Sequence, residues 1–363
     1  MTVNARPVSA GEALEVLRAG WEAQRDGGLT VSWMLHGRPG VGKTEVVRTL
    51  AEEIGGELHD IRLTTIEPQD LRGLPYYDHE AGKTVWYRPE DLPDDPLRPA
   101  VLFLDELTAA SPYLQPTVYG LLQERRVGRH RLPDSVFIVA AGNMAEDGAV
   151  AYEMGTALSD RLIHLAVRAS ARDWLEAYAV DRSLHPAVTA FIRSRPDLLD
   201  TTEETLNRGE MIACTPRSWE RVARIMETVG ERRMRETMIA GTIGAAAAAE
   251  FARVADEIAS LVTVEEMLAA DRARRKAMYP TSVNGLVGLI YALVAQADAA
   301  TMEKTIEAMA DIQGVSGAAL PTAELTSFGF ELLIRKALNE GLAEAFRDSD
   351  AYAAYAASRE EPR

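Results

Sequence analysis

Short, continuous apolar runs alternate with helix-period segments through the first 170 residues. The runs Val31–Leu35, Glu57–Leu63, Val101–Leu104, Ser135–Ala141 and Ile163–Val167 predict five strands, with helices over Lys43–Glu53 and Tyr113–Glu124 between them. This alternation is the βαβ signature, and strands apolar on every position are those buried on both faces of a parallel sheet. Two stretches break the rhythm. Residues 64–99 carry six of the seventeen prolines and are too long for a plain connection, so they predict an insertion. Residues 125–134 place Gly128 inside a short basic stretch and predict a hairpin. Beyond about Ser170 the β signal disappears. Arg172–Tyr178, Pro186–Ser194 and Ser218–Val229 read as helices, with Pro196 and Pro216 at boundaries. From Glu231 onward the chain is rich in Ala, Leu, Met and Glu and predicts further helices. The expected organisation is an α/β core over 1–170, a small helical unit over 171–235 and an all-helical region over 236–363.

Composition narrows the classes. At 47% hydrophobic and 26% charged over 363 residues, the chain is an ordinary globular protein. Its formal charge of −16 disfavours a general coat for nucleic acid or an anionic membrane surface. Residues 236–363 hold 19 acidic against 11 basic side chains, half of that net charge. A single cysteine, Cys214, excludes an internal disulfide framework and suits a reducing cytoplasm. It reads as a small apolar residue. Met1–Ala10 is polar with one Arg and is not expected to act as a signal peptide. Val283–Ala297, the most apolar stretch, contains Asn284 and two glycines and falls short of the ~20 residues a bilayer needs. A cytoplasmic protein is expected.

The chemistry begins at Gly37-Arg38-Pro39-Gly40-Val41-Gly42-Lys43-Thr44, a complete GxxxxGK[ST] loop between a predicted strand and a predicted helix. In such a loop backbone N–H groups curl around a phosphate, the lysine reaches the β and γ oxygens, and the Thr44 hydroxyl ligates Mg²⁺. Some sixty residues later Val101–Leu104 runs into Asp105-Glu106. A strand ending in two acids puts both at the carboxyl edge of the sheet, where Asp105 can hold Mg²⁺ and Glu106 can orient or deprotonate a water. A third strand ends at Asn143, an amide available to the γ-phosphate or to that water. Arg161 and Arg217 are permanently charged, planar donors suited to a phosphoryl transition state. The predicted cofactors are ATP and Mg²⁺.

In this order, the phosphate loop, Asp-Glu strand end, strand-end Asn, Ser159-Asp160-Arg161 and Pro216-Arg217 resemble the AAA+ ATPases. Asp70-Leu71-Arg72-Gly73 after the second predicted strand, and Leu121–Val127 leading into the hairpin, are similar to the MoxR branch of that family. The resemblance covers roughly residues 30–230. It implies an AAA+ P-loop core followed by an α-helical lid, and a homo-oligomeric ring, usually hexameric, with ATP between neighbouring subunits. Lys43, Thr44, Asp105, Glu106 and Asn143 would act from one subunit, Arg161 as a finger from the next and Arg217 as a sensor in the lid. It also implies a chaperone-like role on a protein client, with a von Willebrand A-type protein as adaptor.

Two alternatives stay open beside it: a nucleic-acid motor and an ATP-gated scaffold. A motor needs a basic channel, and the cluster Arg125, Arg126, Arg129, His130 and Arg131 could offer one, though it equally suits a solvated hairpin or a substrate contact. Tyr76, Tyr77, Trp86 and Tyr87 either grip a substrate or pack the insertion, and His36, beside the phosphate loop, reads as packing or a minor contact.

Overall fold

The computed structural model describes residues 3–144, 155–259, 263–315 and 320–360. The chain forms two compact units, Met1–Ser170 and Ala171–Arg363.

The first unit runs β1 (Pro7–Val8), α1 (Ala10–Gly27), β2 (Ser32–His36), α2 (Lys43–Glu53), β3 (Glu57–Arg62), α3 (Pro68–Arg72), β4 (Pro75–Asp78), β5 (Lys83–Trp86), β6 (Ala100–Asp105), α4 (Gln115–Glu124), β7 (Arg126–Val127), β8 (His130–Arg131), β9 (Val136–Gly142), α5 (Thr156–Ser159) and β10 (Leu162–Val167). Six strands make one sheet in the order β1-β10-β2-β9-β6-β3, with every pair parallel. The five predicted strands and both predicted helices are present with ends shifted by two residues at most. All six positions of β6 are buried because the sheet is covered on both faces. Leu102 and Leu104 pack with Val118, Leu121 and Leu122 of α4 on one side, and Val101 and Phe103 with residues of α1 and α2 on the other. The period-two division of one strand between two cores is the physical content of the parallel-sheet prediction.

Helix α1 and strand β1 were not anticipated by the pattern. A reciprocal cap starts α1: the Glu12 amide donates to Ser9 Oγ (3.1 Å) and the Ser9 amide to Glu12 Oε2 (2.8 Å). The helix buries Ala13, Leu17, Gly20, Trp21 and Gln24 and stops at Gly28 (φ 71°).

The 64–99 insertion is ordered around α3 and the antiparallel β4–β5 hairpin. Tyr76 stacks on Tyr87 with ring centres 4.5 Å apart, and the Arg72 guanidinium lies over Trp86 at 4.8 Å. Tyr76, Trp86 and Tyr87 therefore contact other side chains of the insertion, although Tyr87 (63%) and Tyr77 (75%) stay largely exposed. The basic stretch forms the predicted hairpin, β7 and β8 turning at Gly128 (φ 57°). Arg125, however, does not belong with its exposed charges. It is buried and donates through Nη2 to the carbonyls of Pro133 (2.8 Å) and Val136 (2.6 Å), pinning the base of the hairpin to β9.

In the second unit the described residues are helical or irregular. The helices are α6 (Ala171–Asp173), which continues as a wide π turn over Trp174–Ala179, α7 (Pro186–Ser194), α8 (Thr202–Asn207), α9 (Pro216–Thr228), α10 (Arg232–Ile243), α11 (Ala245–Ala259), α12 (Val264–Ala269), α13 (Arg272–Lys276), α14 (Val283–Gln296), α15 (Met302–Asp311), α16 (Thr322–Asn339), α17 (Glu344–Arg347) and α18 (Asp350–Glu360). Phe191, Trp219 and Phe251 join α7, α9 and α11, their ring centres 5.2–5.7 Å apart. The unit continues through position 235 without a break, because α10 packs on both α9 and α11. The apolar 283–297 stretch is the buried helix α14, and no described helix is long and apolar enough to cross a membrane.

Candidate active site

Because the sheet is parallel, the loops leaving β2, β3, β6 and β9 all emerge at one edge. The phosphate loop leaves β2 at Gly37. A Cβ there would sit 2.6 Å from the Val167 carbonyl oxygen, so the loop base lies directly against β10. The loop closes on Gly42 at φ 108°, a conformation that favours glycine. Helix α2 therefore starts on a residue with no side chain to cap its first amides, and an anion is the natural partner of that end. Pro39 is exposed, Arg38 and Gly40 half-buried, and Val41 is buried in the core beneath.

Lys43, only 8% exposed, donates from Nζ to the Gly37 carbonyl (2.6 Å), the Arg38 carbonyl (3.1 Å) and Asn143 Oδ1 (2.9 Å). The ammonium is thus held at the mouth of the loop, and the predicted Lys43 and Asn143 are in direct contact. Thr44 Oγ1 lies 3.5 Å from Asp105 Oδ2, so the two predicted metal-binding oxygens stand side by side. Asp105 Oδ1 also accepts the Glu106 amide at 2.8 Å.

Glu106 leaves the strand in the left-handed region, φ 59° and ψ 33°. Its carboxylate accepts a short hydrogen bond from Thr64 Oγ1 and lies 3.8 Å from Arg62 Nε. Thr64 and Arg62 were not expected as site residues. They lie at the end of β3, more than forty positions from Glu106, and no spacing rule links them. Thr108 Oγ1 donates to the Asn143 carbonyl (2.8 Å), bringing the turn after Glu106 against the end of β9.

His36 is a second addition. Its ring meets that of His164 edge to edge, the two planes within 19° of each other and the centres 5.0 Å apart, with His36 Nε2 2.8 Å from His164 Nδ1. His164 Nε2 lies 2.9 Å from the Ser159 carbonyl, which can only accept, so Nε2 carries a proton and Nδ1 is left to accept from His36. Burial, then His164, then the Lys43 ammonium push the His36 imidazole down to about 4.

Arg161 is not gathered here. Arg161 precedes β10, whose first residue, Leu162, pairs with Ser32 at the start of β2. The phosphate loop begins after His36, four residues along, which is about 13 Å at the usual strand rise. Arg161 is exposed and donates a short hydrogen bond to Gln123 at the end of α4. Arg217 lies exposed on the first turn of α9, in the second unit, where the Thr215–Ser218 cap fixes the helix start.

Residues 32–164 match the family model of the ATPases associated with various cellular activities. This segment is an AAA+ ATPase core. Over 102 residues the chain is 35% identical to the mouse ATPase family gene 2 protein homolog B, a match covering 28% of this chain and 11% of the mouse protein. Over 118 residues the chain is 30% identical to YeaC of Bacillus subtilis, covering 31% of this chain and 35% of that one. The chain thus spans well under two thirds of these relatives' lengths. A RuvB variant of Thermotoga maritima aligns over 97% of this chain and 95% of its own at 14% identity, with a TM-score of 0.35, too loose a likeness to bear on function.

The AAA+ core fits a magnesium nucleotide by its donor set. It offers a glycine-lined helix start, one buried ammonium, and a hydroxyl beside a carboxylate, the hard oxygen donors Mg²⁺ takes.

Proposed function

We propose that the chain is a MoxR-like AAA+ ATPase that hydrolyses Mg-ATP in a homo-oligomeric ring, hexameric by resemblance, and uses the cycle to remodel or activate a protein partner. In this reading water attacks the γ-phosphorus in line and the bond to the β-phosphate bridging oxygen breaks, giving ADP and phosphate. Thr44 and Asp105 would hold Mg²⁺, which would supply charge neutralisation to the phosphate oxygens. Lys43 offsets charge on the same oxygens from the loop side. Glu106 orients the water and takes its proton, and Asn143, tied to Lys43, fixes the approach. Arg217 reads the nucleotide from the helical lid.

One observation carries the ring. Lys43, Thr44, Asp105, Glu106 and Asn143 converge on the carboxyl edge of the sheet, whereas Arg161 immediately precedes β10 at the amino edge, about 13 Å away by strand rise and engaged with Gln123. An arginine so placed serves a neighbouring subunit's γ-phosphate better than its own. The burial of Arg125 removes one charge from the 125–131 basic cluster, which weighs against a nucleic-acid channel there. The client, and a von Willebrand A-type adaptor, rest on the resemblance alone.

The test is ATPase activity per subunit across a range of protein concentration, with purified protein. A rate that climbs with concentration supports completion of the site between subunits. A flat and appreciable rate overturns the ring. A flat and negligible rate overturns the self-sufficient enzyme and favours the ATP-gated scaffold.

A further inference from the structure

The phosphate loop and the Arg161 segment leave opposite edges of the sheet, yet one line of polar contacts joins them. It starts at Gly37, whose carbonyl accepts Lys43 Nζ at 2.6 Å and whose Cα packs on the Val167 carbonyl. The preceding residue, His36, donates from Nε2 to His164 Nδ1 at 2.8 Å, the ring planes within 19° of each other. His164 donates in turn from Nε2 to the Ser159 carbonyl at 2.9 Å, with Ser159 Oγ 3.2 Å away. Ser159 ends α5, and the next turn carries the finger: the Arg161 amide donates to the Leu158 carbonyl at 3.0 Å. The strand register makes the pair possible. His164 lies opposite Met34 and Ala166 opposite His36, so the two imidazoles are diagonal neighbours on one face of adjacent strands.

The direction of these bonds is fixed. A carbonyl accepts at one end, so each imidazole donates toward the Arg161 segment. Holding His36 neutral keeps that pattern intact at neutral pH, and burial together with the nearby Lys43 ammonium does so. Half-buried to buried rings hydrogen-bonded edge to edge on rigid strands transmit a displacement, where flexible chains would absorb it.

We infer that His36 and His164 are positioning residues that set the Ser159–Arg161 segment according to the geometry of the phosphate loop in the same subunit. This deepens the reading above and rests on it. Lys43 is bonded to the Gly37 carbonyl, and phosphate oxygens compete for the same ammonium. A change in the Gly37 peptide moves His36, and His164 carries that movement to the turn holding Arg161. The state of one nucleotide site then adjusts the arginine offered to the next.

Two substitutions cut different links. His164→Asn keeps an oxygen where Nδ1 accepts from His36 and removes the donor to Ser159. His164→Gln keeps a donor toward Ser159 and removes the acceptor. In the full-length protein each should lower kcat by roughly 2- to 30-fold, the range for residues along a coupling network. The dissociation constant for ATP, measured directly on each variant, should stay within about twofold of wild type. A second readout separates positioning from packing. In an Arg161→Ala background the residual rate should be the same with and without either His164 substitution, because the effect acts through Arg161.

Wild-type kcat in both His164 variants would overturn the inference. So would ATP affinity that falls in step with kcat, or a loss that simply adds to that of Arg161→Ala. The parent reading fails separately: a wild-type rate independent of protein concentration removes the ring, whereas a concentration-dependent rate untouched by both variants removes only the positioning role.

Discussion

The protonation state of His36 makes a quantitative prediction about stability. In the folded protein its imidazole titrates at about 4 against an ordinary value of 6.5, because burial, His164 and Lys43 all oppose a second positive charge. Between those two values the unfolded chain binds the proton that the folded chain refuses, so stability rises with pH across the window and is lost as pH falls through it. A gap of this size corresponds to roughly 3 kcal/mol once titration is complete, at about 1.4 kcal/mol per unit. Between about pH 7 and about pH 5 the share released is about 2 kcal/mol. The perturbation is His36→Gln, whose amide nitrogen can replace Nε2 as donor to His164 but cannot titrate. Urea titrations of both proteins at the two pH values, followed by hydrogen-exchange protection of peptides covering β2 and β9, report the first unit directly. His185 is also buried with its imidazole pushed down, mainly by burial, but it contributes equally to both proteins and cancels in the difference. Wild type should lose about 2 kcal/mol more than His36→Gln on acidification. Equal losses would refute the claim that His36 is held neutral.

Further expectations follow from the same geometry. Lys43→Ala removes the ammonium that meets the loop carbonyls and Asn143, and should abolish ATP binding in a direct titration. Glu106→Gln should keep binding while lowering turnover by about 10²-fold or more, seen as stable ATP in complexes isolated by gel filtration. Arg125→Ala strips donors from the Pro133 and Val136 carbonyls and should cost about 2–3 kcal/mol in urea unfolding. Exposed Arg129→Ala should stay within about 0.5 kcal/mol of wild type.

Strand positions were legible in the sequence because a parallel sheet covered on both faces demands unbroken apolar runs, and Val101–Leu104 or Phe137–Ala141 cannot be mistaken for amphipathic surface. The chemistry at their ends was legible because the loop and acidic pair are local strings. Helix α1 was missed although its signals are present: Ser9-x-x-Glu12 is a capping box, and Ala13, Leu17, Trp21 and Gln24 recur at helical spacing. Its many charges hide that narrow buried stripe. Thr64, Arg62 and His164 could not be found in this way, because each gains meaning from a partner brought near only by sheet register. Arg125 misled for a related reason. Charge counts say nothing of direction, and this guanidinium turns inward while Arg126, Arg129 and Arg131 turn outward.

Backbone strain marks where one strand end must serve two tasks. Among the described residues Glu106, Arg125 and Ser183 are the non-glycine positions with positive φ. A left-handed residue with a Cβ costs about 1–2 kcal/mol, so something must hold it. At Glu106 the restraints are visible: its amide donates to Asp105 Oδ1 at 2.8 Å, its carbonyl accepts Ala109 N at 2.9 Å, and the next residue, Leu107, is buried in the core. The turn is what lets two adjacent carboxylates face different partners. Asp105 stays beside Thr44 of α2, whereas Glu106 reaches Thr64 and Arg62 at the end of β3. A glycine at 106 would relieve the strain and lose the carboxylate, so the local backbone preference yields there to the site.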